Sequence, residues 1–123
     1  TEAGFEADAT VEAKKGKRED FRKKYDCVLL ILNTQGFAQF NTMRVKWDEP
    51  VKQPWYMSEL PTFVVSLSNT NFLIDVPMAR CYINAYMDHH EAFAAVLDKM
   101  MGNSEFKGRY NENVFCGRWE TRF

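Results

Sequence analysis

Two unbroken apolar runs constrain this chain more than anything else in it: Cys27-Val-Leu-Leu-Ile-Leu32 and Thr62-Phe-Val-Val-Ser-Leu67. Alternating apolar and polar residues signal a strand with one wet face. A continuous run closed by polar residues signals a strand covered on both faces. Asn33 closes the first run and Ser68-Asn69 the second. Such strands pair in parallel, through crossovers that lay helices over the sheet. A third strand is expected at Arg80-Cys-Tyr-Ile-Asn-Ala-Tyr86, more polar and less central. None of these runs approaches the roughly 20 apolar residues that a membrane-spanning helix needs.

The segments between the runs supply the other layers. Asp88 and Glu91 have the spacing of a capping box, and Phe93, Val96, Leu97 and Met100 form one apolar stripe behind them. Gly102 is expected to close that helix. Lys14 to Lys24 is dense in charge, with Phe21 its only large apolar side chain, and predicts a short exposed helix from about Lys17. Its acidic residues Glu19 and Asp20 argue for a solvated face rather than a phosphate-binding patch. Asn71 to Ile74 predicts one helical turn, ended by Pro77. Phe5 to Val11 alternates and predicts a further strand. Past Gly102 the chain carries Phe115, Trp119 and Phe123 along a Gly- and Asn-rich tail, expected to lie over the surface or reach a neighbour.

The expected fold class is therefore α/β. A mostly parallel sheet would carry helices on both faces, a three-layer sandwich of flavodoxin or Rossmann kind, with residues 1–123 as a single domain. Thr1-Glu2-Ala3-Gly4-Phe5 resembles a helix end leading into a strand, which predicts at least one βα element upstream and a fold truncated at its N-terminus. At 46% apolar and 27% charged residues the composition is that of a globular domain. A formal net charge of −1 favours neither nucleic acid nor a membrane surface as partner. The three cysteines, Cys27, Cys81 and Cys116, are widely spaced, and two lie in apolar runs. Buried reduced thiols are expected from that pattern, and with no visible secretory signal a cytoplasmic location.

In a parallel sheet of this kind a site forms where the strands end at their carboxyl side. That edge collects Asn33, Thr34, Ser68, Asn69 and Tyr86. Little else suggests chemistry. His89-His90 opens a helix, where adjacent side chains diverge, so no metal is expected. Gly36 stands alone after its strand, without the glycine pattern of a dinucleotide loop, and there is no G-x-S-x-G elbow. No cofactor is expected. A glycosidase needs a facing pair of carboxylates, and nothing pairs Asp48, Glu49, Glu59, Asp75 or Asp88, which read as solvated loop and cap residues. No catalytic residue is assigned. The stretch from Asn33 to Tyr56 carries Gln35, Gln39, Asn41, Thr42, Arg44, Trp47, Trp55 and Tyr56. Amides beside aromatics suit sugar recognition, and the same residues suit a domain interface; composition favours neither.

Met43-Arg-Val-Lys-Trp47, Pro54-Trp-Tyr56, Leu60-Pro-Thr-Phe-Val-Val-Ser-Leu67, Asp75-Val-Pro-Met78 and Tyr82-Ile-Asn-Ala-Tyr86 follow one another along the chain. Ser104-Glu-Phe-Lys-Gly108 and Phe115-Cys-Gly-Arg-Trp-Glu-Thr-Arg-Phe123 continue the series. In this order the segments resemble the C-terminal α/β domain of glycoside hydrolase family 3, in its bacterial β-N-acetylglucosaminidase-like branch. The resemblance runs from about Tyr25 to the end of the chain. After the central strand this chain has Ser68-Asn69-Thr70-Asn71-Phe72-Leu73 where relatives often have Ala-Asn-Pro-Tyr-His-Leu.

The resemblance implies a non-catalytic domain whose partner is an N-terminal (β/α)8 catalytic domain of the same polypeptide, the source of the aspartate nucleophile. The strand-end edge, Asn33, Thr34, Arg44, Ser68, Asn69 and Tyr86, would pack on the barrel and help wall the cleft for a carbohydrate substrate. Arg44 would offer its planar fork to a carboxylate of barrel or substrate. Glu49 and Glu59 are nominal counterparts of the acid/base glutamate that glucosidase-like members draw from this domain. Two other readings predict different behaviour. An independent doubly wound module would bind a small ligand at the same edge. An interaction domain would dock a protein through its aromatic tail.

Overall fold

The computed structural model describes residues 4–8, 18–34, 44–45, 47, 54–113 and 117. Its centre is a three-stranded parallel sheet in the order β1 (Val28–Leu32), β2 (Thr62–Ser66), β3 (Cys81–Asn84). Leu30 stands opposite Val64, and Val64 opposite Tyr82. The next row, Ile31, Val65 and Ile83, faces the other way, because successive side chains alternate across a strand. The fold class is α/β, as the apolar runs require.

Each face has its own core. On one, Val64 packs with Leu32, Met57, Phe72, Val76 and Ala79, bordered by half-buried Leu30, Val45, Trp47, Tyr56 and Tyr82. The elements covering it are two 3-10 helices, Trp55–Ser58 and Thr70–Asp75. On the other, Val65, Leu67 and Val96 meet, with Leu29, Ile83, Ala85, Phe93 and Met100 around them. That face is covered by α2 (His90–Met100), from which Phe93, Val96 and Met100 of the forecast stripe, though not Leu97, join this core. Val64, Val65, Phe72 and Val76 are wholly excluded from solvent. Each contributes about 1.5–3 kcal/mol through burial of its side chain.

β2 is the strand buried on both sides. β1 is not, which corrects the expectation for the first apolar run. Ile31 keeps 44% of its surface exposed, and among the described residues β1 has a strand neighbour on one side only. An apolar run reports hydrophobicity but not which strand the chain will place centrally.

Other boundaries moved for local reasons. The turn after β2 extends over Thr70–Asp75, because the Asn69 side chain accepts a hydrogen bond from the Asn71 amide (2.9 Å) and starts it early. α2 begins at His90 with His89 as its cap residue, and the His89 carbonyl accepts the first helical bond, from Phe93 N (3.1 Å). That frame puts Glu91 second in the helix, where it meets the positive end of the helix dipole. α1 (Arg18–Lys24) forms nearly where the charge-rich segment predicted. The strand expected from Phe5 is absent over residues 5–8, and Ala9 to Val11 lie outside the described residues. So do Phe115, Trp119 and Phe123.

Gly102 does what its position promised. Its φ is +77°, its amide donates to Lys99 O (3.1 Å), and Asn103 N donates to Asp98 O (3.0 Å). This paired pattern satisfies carbonyls of the last helical turn.

Candidate functional site

The three strands end level. The ladder continues for one bond past each pair, Leu67 N to Leu32 O (3.0 Å) and Ala85 N to Ser66 O (2.8 Å). Asn33-Thr34, Ser68-Asn69 and Tyr86 therefore follow three adjacent strand ends, as the parallel topology dictates. Ser68 Oγ donates to Thr34 O (3.0 Å) and ties the first two ends together.

The polar groups at this edge are largely turned inward. Ser66 Oγ donates to Asn69 O (2.6 Å), and the Tyr82 hydroxyl donates to the same carbonyl (3.2 Å). Asn69 Oδ1 is occupied by the Asn71 amide. Burial pushes the Tyr82 phenol up; a hydrogen bond with Ser66 opposes this and the negative charge of Asp75 adds to it. Asn84, opposite Ser66 in the sheet, has a buried Oδ1 without a hydrogen-bond partner among the described residues, a group that costs about 1–3 kcal/mol when left so. Asn33 and Thr34 are exposed.

Tyr86 differs from its neighbours. Its φ is +62°, and among the described residues no other non-glycine has a positive φ. A side-chain-bearing residue in this left-handed region costs roughly 1–2 kcal/mol. Tyr86 is 60% exposed and the following Met87 54%.

Arg44 is placed elsewhere, on the face covered by the 3-10 helices. Its Nε and Nη2 both engage the Asp75 carboxylate, while Val45 N donates to Asp75 Oδ2 (2.9 Å). The Asp75 side chain is only 4% exposed. The expectation of a solvated Asp75 is thus corrected: Arg44 and the Val45 amide, both in the connection that follows β1, bind its carboxylate. Arg44 directs Nε and Nη2 of its fork at Asp75 while 54% of its side-chain surface stays exposed. Glu59 is likewise no free loop carboxylate, since Arg18 (3.8 Å) and Arg22 (3.7 Å) of α1 flank it. Asp48 and Glu49 lie outside the described residues.

The aromatics weighed between sugar and interface find a use within the domain. Phe21 of α1 lies against Tyr25, Trp55 and Tyr56, with ring centroids 4.7, 5.4 and 6.3 Å away, and Arg18 lies over the Trp55 ring. Trp47 packs onto the core. Gln35, Gln39, Asn41 and Thr42 lie outside the described residues.

Sequence reasoning passed over Asp75, Ser66 and Tyr82 as parts of this edge and its support. Asp75 carried the signal that could have found it, an acidic residue closing a helical turn ahead of Val76-Pro77. Ser66 was hidden by reading as one more strand residue. Cys27 is exposed and Cys81 half-buried, so the forecast of buried thiols fails at Cys27, which precedes the strand rather than lying in it. Cys116 is outside the described residues. Among those described, no group of three or more His, Cys, Asp or Glu side chains converges as a metal site would require.

Comparison with known proteins adds two findings. Over 119 residues, 95% of this chain, the sequence is 30% identical to a beta-N-acetylglucosaminidase/beta-glucosidase of Cellulomonas fimi, and it spans 21% of that protein's length. The fold is similar to part of a beta-glucoside phosphorylase, BglX, bound to 2FGlc, with a TM-score of 0.67 and 33% identity. That match covers 74% of this chain and 16% of the phosphorylase. No family model matches.

Proposed function

We infer, from a chain that matches one α/β part of the family 3 glycoside hydrolases, that it serves such an enzyme as a non-catalytic domain beside its catalytic barrel. The observation that carries this reading is the extent of the match. Nearly all of this chain aligns with a small part of a much longer glycosidase. The strand-end edge would face the barrel, with Asn33, Thr34, Ser68, Asn69 and Tyr86 along it. There it would exclude water from the cleft and hold one wall of it in place, which strengthens the electrostatic contacts a glycosyl transition state needs. The nucleophile would come from the barrel, and a carbohydrate would be the substrate of the whole enzyme. The chemistry of the described residues supports a structural part. Asp75 and Glu59 are tied to arginines, which leaves no facing pair of free carboxylates between them.

The test is hydrolysis of an aryl β-N-acetylglucosaminide and an aryl β-glucoside by the 123-residue chain and by the full polypeptide that carries it. Turnover by the full polypeptide alone is the expected result. Turnover by the short chain would overturn the reading. The likeness to a phosphorylase favours a second arm, with inorganic phosphate in the assay. Release of a sugar phosphate rather than free sugar would make the parent a phosphorylase, with the same role for this domain.

A further inference from the structure

Charge is divided between the two ends of the sheet. Each strand is entered past a charged residue: Asp26 stands before β1, Glu59 before β2 and Arg80 before β3. Each is left through uncharged sequence. No Asp, Glu, Lys, Arg or His occurs in residues 33–43 after β1, in 67–74 after β2 or in 85–87 after β3. Charged residues make up 27% of the chain, so three such stretches following three strands are a strong bias. The stretches close on Arg44, Asp75 and Asp88, and the first two neutralise each other. Asp88 is followed by His89, His90 and Glu91 at the start of α2.

What the strand-end edge turns outward is correspondingly neutral. Asn33, Thr34 and Asn71 are exposed, as is Tyr86. Their amide, hydroxyl and phenol groups can bond neutral hydroxyls. An ionised group gains less from them, because it loses more on leaving water and meets no opposite charge in return. The first charge past Tyr86 along the chain, Asp88, is itself negative and repels an anion. We propose that this edge selects by charge: the glycosides taken by the parent polypeptide carry a neutral leaving group, a saccharide or another uncharged alcohol, and anionic leaving groups are discriminated against. This deepens the functional reading above and rests on it, since the edge must wall the cleft for its charge to act on a substrate.

The experiment uses the full polypeptide and two variants, Thr34→Lys and Asn71→Lys, which place a cation at exposed positions past two different strands. The substrates are aryl β-N-acetylglucosaminides and β-glucosides whose ring carries a para-carboxymethyl group or the matching primary amide. The two aglycones have similar shape and leaving-group acidity and differ in charge. For the parent, kcat/KM should be higher with the amide. Either lysine should raise kcat/KM for the carboxylate relative to the amide by about two- to fivefold, the worth of one exposed charge pair. Added salt should erase that gain. Equal or faster turnover of the carboxylate by the parent would overturn the inference alone and leave the functional reading standing. A ratio unmoved in both variants would overturn it as well, by placing the edge away from the leaving group. Absence of turnover with every substrate would remove the functional reading and this inference with it.

Discussion

The carboxylate of Asp75 is shared between the guanidinium of Arg44 and the backbone amide of Val45, so one buried acid fastens two crossovers to each other. Arg44 lies in the connection from β1 to β2, and Asp75 in the connection from β2 to β3. Arg44→Ala strands a carboxylate that is 4% exposed and should destabilise the chain by about 1–3 kcal/mol. Urea unfolding reads this directly. An unchanged midpoint would mean that the pair adds nothing beyond its geometry.

α1 has one apolar anchor, Phe21. None of its residues is buried, and Phe21 is what it lays against Trp55, Tyr56 and Tyr25. A seven-residue helix cannot hold itself together in water, because isolated helices shorter than about 12 residues are marginal. Phe21→Ala should unravel α1 while leaving the sheet intact. Amide exchange is expected to rise across residues 18–24 and to stay slow in β2.

The close of α2 offers a clean backbone test. Gly102 has φ +77°, and a methyl group built there meets nothing within 4 Å. Gly102→Ala therefore costs only the strain of its conformation, roughly 1 kcal/mol. Gly108, where a methyl group is equally free and no positive φ occurs, is the control. Thermal melting should separate the two substitutions, with Gly108→Ala at or above the parent.

The Asp8 link to α1 carries a pH window. The Asp8 carboxyl is held below its ordinary 3.8 by hydrogen bonds from Lys24 (2.6 Å) and Tyr25 (2.9 Å) and by the Lys24 charge. Lys24 is raised above its ordinary 10.5 by its hydrogen bonds with Asp8 and Tyr25 and by their charges. A depressed acid stabilises above its unfolded value and loses that effect as pH falls through its folded one. A raised amine stabilises below its unfolded value and loses that effect as pH rises through its folded one. Residues 4–8 should thus stay docked between these limits and come free in acid below 3.8. Both groups are exposed, so added salt should weaken the link at neutral pH. Exchange at residues 5–8 across a pH and salt series tests both statements.

Much of the architecture was legible because burial writes itself into local composition. The runs ending at Leu32 and Leu67 announced strands in a parallel sheet. The spacing of Phe93, Val96 and Met100 announced the helix over it, and Gly102 its end. The strand-end residues Asn33, Thr34, Ser68, Asn69 and Tyr86 follow from strand direction alone, since parallel strands bring their carboxyl ends to one edge. Boundaries were less legible. The choice between Asp88 and His89 as the cap depends on one backbone hydrogen bond that two adjacent polar residues do not distinguish.

The partners of the charged and aromatic residues were decided only by the tertiary structure. Arg44 and Asp75 are 31 residues apart and meet because two crossovers lie on the same face of the sheet. Phe21 and Trp55 meet across the span that contains β1. Local periodicity records which side chains avoid water, but not which distant ones they meet, because those contacts are made by the path of the chain. Thus the sequence by itself determined an α/β domain with its strand ends on one edge. The tertiary structure decided that Arg44 binds Asp75, that Trp55 and Tyr56 cover α1, and that Tyr86 stands strained and exposed. Pairings such as Arg44 with Asp75 and Phe21 with Trp55 join residues far apart in sequence, so only the assembled packing reveals them.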